Sequence, residues 1–285
     1  MTKLFPEIRT AFGIDFPASA PTAEKCEELL AFGKKQSILP IIYAGLKKMD
    51  IPADLLKAID WERNRDLRRF VLHSDALQKI EESLNKEQIP YIPLKGAVLR
   101  NLYPAPEMRI SSDIDVLVHE DDLDRAIETI ETHTDFKADH RAYHDISMLN
   151  QSVHLELHFS IKENMENIDK LLSQVWNYAV QEKESGYLLT PEFQIFHVIA
   201  HMSYHMVRGG LGVRPFLDLW LLRTKTSYAE EVVRQMCEEC GILTFYKKCC
   251  GLVDAWMSGE PVPDELATLE NYALNGRVFG SKENA

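Results

Sequence analysis

The chain has 285 residues, of which 45% are hydrophobic, so it is long and apolar enough to bury a substantial core. Its 44 acidic and 32 basic residues give a formal net charge of −12, which disfavours a long nucleic acid partner because a negative surface repels a phosphate backbone. The N-terminal residues lack the apolar core of a signal peptide, and no apolar run approaches the roughly 20 residues needed to cross a bilayer. We therefore predict a cytoplasmic protein of one large domain or two modest ones, without a membrane segment.

The first predicted region, residues 1–85, is helical. Apolar residues recur at steps of three and four in the second half of this region: Leu67, Phe70, Val71, Leu77, Ile80 and Leu84. Pro40 and Pro52 are expected to mark helix boundaries.

Residues 86–162 have short apolar runs that are typical of strands. The predicted elements are strands at 89–94 and 114–118, a helix at 96–103, a helix at 121–132, and strands at 142–149 and 153–161 joined by a turn at 150–152. The sheet is expected to end there. This pattern predicts a small mixed β-sheet domain.

Helical patterns return in the third predicted region, residues 163–285. Pro191 is expected at a helix start, and a Gly209-Gly210 break separates the apolar segment 193–207 from another helix after Pro215. The fold class is thus predicted to be α+β, with the sheet domain between N- and C-terminal helical regions.

The five cysteines do not form a disulfide framework, because an odd number leaves at least one thiol free. Cys237, Cys240 and the Cys249-Cys250 pair superficially resemble a zinc site, but the segment 229–241 has helical periodicity that ends at Gly241. We predict buried or partly buried thiols rather than zinc ligands.

Two aspartates share one face of the predicted strand at 114–118 and its entry. Residues two apart in a strand project together, so Asp113 and Asp115 lie on one side while Ile114 and Val116 point into a core. A divalent cation between the carboxylates would relieve their repulsion, and hard oxygen ligands suit magnesium. On this basis, replacing Asp115 by Asn is expected to leave folding unaffected or slightly improved. A solvated acidic pair without function is the alternative interpretation.

Two further features strengthen the hypothesis of a metal and phosphate site. Lys95-Gly96 ends one predicted strand and opens a helix, whose N-terminal amides would attract an anion. Glu156 lies on the polar face of the strand at 153–161, together with His154 and His158. Glu156 is therefore a candidate third carboxylate.

The stretches Pro93-Leu-Lys-Gly-Ala-Val-Leu-Arg-Asn-Leu-Tyr-Pro104, Arg109 and Asp113-Ile-Asp-Val-Leu-Val118 resemble the broad family of uncharacterised bacterial nucleotidyltransferases of the DNA-polymerase-β-like superfamily. The stretches 154–158, 197–201 and 214–218 extend the resemblance, which covers about residues 65–280. Ala97 replaces the serine or glycine that usually follows the glycine of the motif, so a phosphate-binding hydroxyl is absent.

This resemblance implies a metal-dependent enzyme that moves a nucleoside monophosphate from a nucleoside triphosphate, such as ATP, to the hydroxyl of an unknown small molecule or protein. Two magnesium ions would be held by the catalytic residues Asp113, Asp115 and Glu156, and would assist an in-line displacement at the α-phosphorus. The nucleotide contacts would come from Lys95, Gly96, Arg109, Ser111 and Ser112.

Two other functions are compatible with the sequence. The first is a non-catalytic relative that binds a nucleotide or a partner protein, as in toxin and antitoxin systems; the missing serine favours it, and three converging carboxylates oppose it. The second is a hydrolase whose metal is bound by His197, His201 and His205, which lie on one helix face. No carboxylate falls within that helix, so we favour histidines that line a cleft or fill the core.

Overall fold

The fold is taken from a computed structural model, which describes residues 6–14, 21–49, 51, 53–208 and 210–276. The predicted boundary at Pro52, the Gly209 half of the glycine break and residues 277–280 of the motif region lie outside the described residues. Helices surround one mixed sheet, so the predicted α+β class is confirmed. The domain limits at 85 and 162 remain predictions.

The helices precede, interrupt and follow the strands. They are α1 Pro6–Phe12, α2 Ala23–Lys35, α3 Leu39–Lys47, α4 Ala53–Lys86, α5 Gly96–Leu99, α6 Leu123–His133, α7 Glu166–Leu172, α8 Pro191–Val207, α9 Arg214–Lys225, α10 Glu230–Glu239, α11 Leu243–Ser258 and α12 Ala267–Asn275. Pro40 lies in the first turn of α3, where its missing N–H costs nothing, as expected of a helix start.

The strands form one seven-stranded sheet in the order β3-β4-β5-β2-β1-β7-β6. Their bounds are β1 Tyr91–Pro93, β2 Ile114–Val118, β3 Lys137–Arg141, β4 Asp145–Leu149, β5 His154–His158, β6 Ala179–Lys183 and β7 Gly186–Leu189. Strand β2 is central: it pairs with β1 antiparallel and with β5 parallel. The turn that joins β4 to β5 forms as predicted, because the Asn150 side chain accepts hydrogen bonds from the amides of Ser152 and Val153, 2.8 and 2.7 Å away.

The sheet separates two hydrophobic cores, and β2 contributes to both. Ile114, Val116 and Val118 pack with residues of α4 and α6, whereas Leu117 on the opposite face belongs to the larger core that contains α8 and α9. The alternation predicted for this strand is therefore confirmed. On α4, Val71 departs from the predicted apolar face, because 56% of its surface is exposed.

The expectation that the sheet ends near residue 162 was wrong. Strands β6 and β7 follow the short helix α7 and extend the sheet beyond β1, where Tyr91 pairs with Gly186. Strand β3 was not predicted either. Both β3 and β6 are edge strands with largely exposed side chains, so they lack the apolar alternation from which a strand is recognised.

The C-terminal helices cover one face of the sheet. Helix α8 starts as predicted at Pro191, with the Thr190 side chain accepting a hydrogen bond from the amide of Phe193. The five cysteines are buried and none forms a disulfide, which confirms the prediction of buried thiols. None of the helices in the described part of the chain combines the length and the apolar character that a membrane crossing needs.

Candidate active site

A cavity of about 350 Å³ opens between the sheet and the C-terminal helices. Asp115 of β2, Glu156 of β5 and Asp113, directly before β2, line its wall, and the turn after β1 supplies Lys95. Asp115 and Glu156 are direct neighbours in the parallel pairing of β2 with β5. The structure thus brings the three predicted carboxylates to one cavity, and the opposite wall includes residues from α8, from α9 and from the loop before α7.

Asp115 is the most strongly bound of these carboxylates. Its Oδ1 atom accepts hydrogen bonds from Lys95 Nζ at 3.2 Å and from His158 Nε2 at 3.1 Å, and the residue is buried. Burial alone would raise the pKa of Asp115, but the charges of Lys95 and His158 outweigh it and hold the pKa well below its usual value. Asp115 is therefore ionised.

His158 joins two of the carboxylates. Its Nε2 atom lies 3.1 Å from Asp115 and 3.5 Å from Glu156. Burial opposes a charge on the ring, but the hydrogen bonds to these acidic groups raise the pKa of His158 to about 9, and the same contact lowers the pKa of Glu156. The sequence placed His158 on the correct face of β5 without revealing this ion pair, because pairing between strands cannot be deduced from one strand's alternation.

Asp113 lies in a different electrostatic environment. Burial together with the neighbouring Asp115 and Glu156 carboxylates raises its pKa, although Ser112 Oγ donates a hydrogen bond to Asp113 Oδ2 at 3.0 Å. Ser112 is exposed, and of the two predicted serines it is Ser111 that lines the cavity. A negative charge on Asp113 is thus only partly compensated by the protein itself.

Asp115 and Glu156 belong to a group of side chains that could hold a divalent cation, and Asp113 lines the same cavity. Asp113, Asp115 and Glu156 offer carboxylate oxygens, the ligands that magnesium prefers. Among the described residues, donor atoms of Asp115, Glu156 and His158 lie within 4.8 Å of one another, as do those of a second group, His144, Asp145 and His158, and Asp113 belongs to neither group. The raised pKa of Asp113 is the sign that a further positive charge would be stabilised at this place.

Lys95 has an unusual backbone conformation in the turn that precedes α5. Its φ of 40° and ψ of −111° are rare for residues with a side chain, and the amide of Ala97 donates to the carbonyl of Leu94 across the turn. The acidic groups around its ammonium raise the pKa of Lys95, although partial burial opposes the charge. A positively charged side chain is therefore fixed at the cavity at the cost of a strained backbone.

Gly96 is required at its position for steric reasons. A Cβ atom built there would lie 2.0 Å from Ser111 Oγ and 2.6 Å from the guanidinium of Arg109. The glycine therefore lets the segment before β2 approach the turn after β1.

The predicted helix at 96–103 is shorter than expected. It is α-helical only from Gly96 to Leu99 and continues as a 3₁₀ helix over Arg100–Leu102. The amides of Ala97, Val98 and Leu99 already donate to the carbonyls of Leu94 and Lys95, so these three groups are not the free anion-binding amides that the sequence suggested. Their N–H groups are used in hydrogen bonds within the tight turn at Lys95.

Arg109 is engaged within the protein. Its Nε and one terminal nitrogen donate to the two carboxylate oxygens of Asp218 on α9, at 2.9 and 2.8 Å, and both residues are buried. Its other terminal nitrogen donates to Ser111 Oγ at 2.9 Å, and Tyr103 Oη donates to Asp218 at 2.7 Å. Arg109 thus ties the segment before β2 to α9, a contact between distant residues that the sequence did not predict.

The wall facing the carboxylates carries a hydrogen-bonded row of titratable groups. His201 Nδ1 lies 2.8 Å from Glu163 Oε1, and His201 Nε2 lies 3.0 Å from His205 Nε2. Burial lowers the pKa of His205 to about 4 and, with the charge of Lys95, that of His197 to about 3, so both are neutral near pH 7. The predicted histidine face of α8 does line the cleft, but Glu163 was missed because it lies 38 residues away in the chain from His201.

A comparison with protein families matches residues 22–258 to the uncharacterised nucleotidyltransferases. The chain belongs to this family. The resemblance carried by the motif residues is thereby confirmed, and with it a place among the nucleotidyltransferases. No match was found among curated proteins.

A comparison with solved structures finds similarity to two structures of ANT(2'')-Ia. The first, a solution structure of this antibiotic-resistance factor, is 11% identical, with a TM-score of 0.45 over 64% of this chain and 95% of that chain. The second, a crystal structure in complex with adenylyl-2''-tobramycin, is 12% identical, with a TM-score of 0.44 over 63% of this chain and 99% of that chain.

Proposed function

We propose that this protein transfers a nucleoside monophosphate from a nucleoside triphosphate, with ATP as the first candidate, to a hydroxyl group of a small molecule or protein in the cytoplasm. The observation that carries the proposal is the convergence of Asp113, Asp115 and Glu156 with Lys95 on one cavity in a nucleotidyltransferase family member. The two predicted magnesium ions would be held by these carboxylates. When bound, they would neutralise the triphosphate and lower the pKa of the attacking hydroxyl.

The protein's own residues prepare the site for an anionic substrate. Lys95 supplies a positive charge on a turn whose conformation is fixed, and its ammonium is available to phosphate oxygens once a cation shares Asp115. Ser111 lies beside Gly96 at the same wall and presents a hydroxyl. Arg109, held by Asp218, is assigned a positioning role: it keeps the segment that leads to Asp113 in place.

A non-catalytic relative that binds a nucleotide or a partner protein is the second candidate. It is favoured by one observation: Lys95 and His158 already compensate Asp115, so this carboxylate is stable without a metal ion. The raised pKa of Asp113 favours the enzyme, because a site that never binds a cation has no use for an uncompensated carboxylate.

The test uses ATP labelled at either the α- or the γ-phosphorus, with magnesium and a panel of sugars, polyols and seryl peptides as acceptors. Nucleotidyl transfer moves only the α-label to the acceptor and releases pyrophosphate. The conservative variant Asp113→Asn should abolish the transfer, whereas Asp66→Asn, which changes another buried carboxylate away from the cavity, should not. Movement of the γ-label would identify a phosphotransferase, and movement of neither label would favour the non-catalytic alternative.

A further inference from the structure

Glu163 and His201 form a buried acid and imidazole pair on the wall that faces the carboxylates. Glu163, in the loop before α7, is 5% exposed, and its Oε1 atom lies 2.8 Å from Nδ1 of His201 on α8. The His201 side chain is 27% exposed, so a molecule in the cavity can reach it. The predicted metal chemistry uses neither residue.

The contacts of His201 are those of a hydrogen-bonded row rather than of a metal site. Its two ring nitrogens have different partners, Glu163 at Nδ1 and His205 at Nε2, so the donor atoms do not surround a common centre. The groups of potential ligands found in the described part of the chain lie instead around His158. This arrangement opposes the hydrolase hypothesis, in which the histidines of α8 bind the metal.

The protonation of the row follows from its surroundings. Burial acts to raise the pKa of Glu163, but the hydrogen bond and charge of His201 and the charge of Lys95 outweigh it and lower the pKa, so the carboxylate is ionised. An ionised carboxylate accepts a hydrogen bond from Nδ1–H and thereby fixes that tautomer of His201. The lone pair of Nε2 then points away from Glu163, where it can accept a hydrogen bond from His205 or from a substrate hydroxyl.

We propose that His201 is the general base that activates the acceptor hydroxyl, and that Glu163 positions it. The inference rests on the proposed function. The acceptor hydroxyl takes the place of His205 at Nε2 of His201 and gives its proton to that nitrogen. Its oxygen forms a bond to the α-phosphorus as the bond between that phosphorus and the bridging oxygen breaks, and pyrophosphate leaves with the electron pair. The imidazolium is stabilised by the Glu163 carboxylate.

Several charged or titratable groups face this pair and will contribute to its pH dependence. They come from the turn after β1, from β2, from α8 and from α9: Lys95, Asp115, His197, His205 and Arg214. A pH profile must therefore be compared between variants rather than interpreted from the wild type alone.

The experiment compares His201→Gln with wild type on two acceptors: the best hydroxyl acceptor from the panel, and hydroxylamine, whose unprotonated nitrogen attacks without a base. His201→Gln should lower kcat for the hydroxyl acceptor by about 10²- to 10⁴-fold while transfer to hydroxylamine changes little. His154→Gln is the matched control, because His154 is also a half-buried, hydrogen-bonded histidine but lies outside the cavity. Asp113→Asn should lose transfer to both acceptors.

Glu163→Gln separates positioning from a structural role. The amide keeps the shape and can still accept from Nδ1, but it no longer stabilises the imidazolium, so the acidic limb of the rate profile should move to lower pH. Long-range ¹H–¹⁵N spectra of labelled histidine should show the Nδ1–H tautomer of His201 in the wild type. An Nε2–H tautomer there, or equal loss of both acceptors in His201→Gln with nucleotide binding intact, would overturn the assignment. If the wild type transfers no label at all, the proposed nucleotidyl transfer itself is overturned, and not only the role of His201.

Discussion

Asp115 and Glu156 lie opposite each other on neighbouring parallel strands, and His158 bridges their carboxylates from the same wall. Lys95 also donates a hydrogen bond to Asp115, so the protein itself compensates the charge of this carboxylate. The charge of Asp113, directly before β2, is compensated much less. The stability of the site without metal therefore rests on Asp115.

Asp115→Asn should destabilise the metal-free protein by about 1–3 kcal/mol, because it removes the charge that pairs with Lys95 and His158. The sign follows from the lowered pKa: a group whose pKa is depressed by folding adds stability above its unfolded pKa and loses it as the pH falls through the folded value. These ion pairs reverse the sequence-based expectation that the substitution relieves repulsion and leaves folding unaffected.

Asp113→Asn should have the opposite effect, a small increase in stability at pH 7, because a raised pKa means that folding disfavours the charged form. Urea denaturation of both variants, without divalent cations and at pH 7, checks the pair. Equal destabilisation by the two substitutions would contradict this assignment of charges.

Lys95 offers a test of backbone strain at the site. Lys95→Gly and Lys95→Ala remove the same charge, but only glycine adopts a positive φ without cost, so the glycine variant should be more stable by about 1 kcal/mol. The same pair of substitutions at Gln88, which has a φ of 53° and lies outside the cavity, is the control. There too the glycine variant should be the more stable, but the binding of magnesium-ATP should not change. Both Lys95 variants should bind magnesium-ATP more weakly. If the glycine variant is no more stable than the alanine variant, the backbone at Lys95 is not strained.

The Arg109–Asp218 pair distinguishes a positioning role for Arg109 from the phosphate contact predicted from the sequence. Asp218→Asn leaves a buried guanidinium without its counter-ion and should cost about 3–5 kcal/mol in urea denaturation. Asp254→Asn, which weakens an exposed pair with Arg223, should cost less than about 1 kcal/mol. Nucleotide titration completes the test: affinity falls if Arg109 positions the segment, and rises if its release provides a phosphate ligand.

The central part of this site follows from the sequence, because it depends on local alternation. The apolar residues Ile114 and Val116 place Asp113 and Asp115 on one face, and the polar face of β5 places Glu156 beside them. What the sequence does not contain is the pairing between distant segments. Neither the contact of Glu163 with His201 nor that of Arg109 with Asp218 leaves a local pattern.

The errors in the predicted secondary structure have a related cause. Edge strands such as β3 and β6 are stabilised by hydrogen bonds to one neighbour and expose most of their side chains, so they carry no apolar signature. The helix after Lys95 was predicted too long because it changes from an α-helix to a 3₁₀ helix after Leu99, and this change leaves no signal in residue type.

The most direct test of the account is thermal unfolding of the wild type and of Asp113→Asn with magnesium alone, ATP alone and both together. A ligand that binds only the folded state adds about 2.7 kcal/mol of stability at a concentration of 100 times its Kd. The wild type should gain stability mainly when magnesium and ATP are both present, and Asp113→Asn should lose most of this gain while Asp66→Asn keeps it. A wild type that gains nothing from magnesium-ATP, and an Asn variant that behaves identically, would contradict the assignment of Asp113, Asp115 and Glu156 as a metal-nucleotide site.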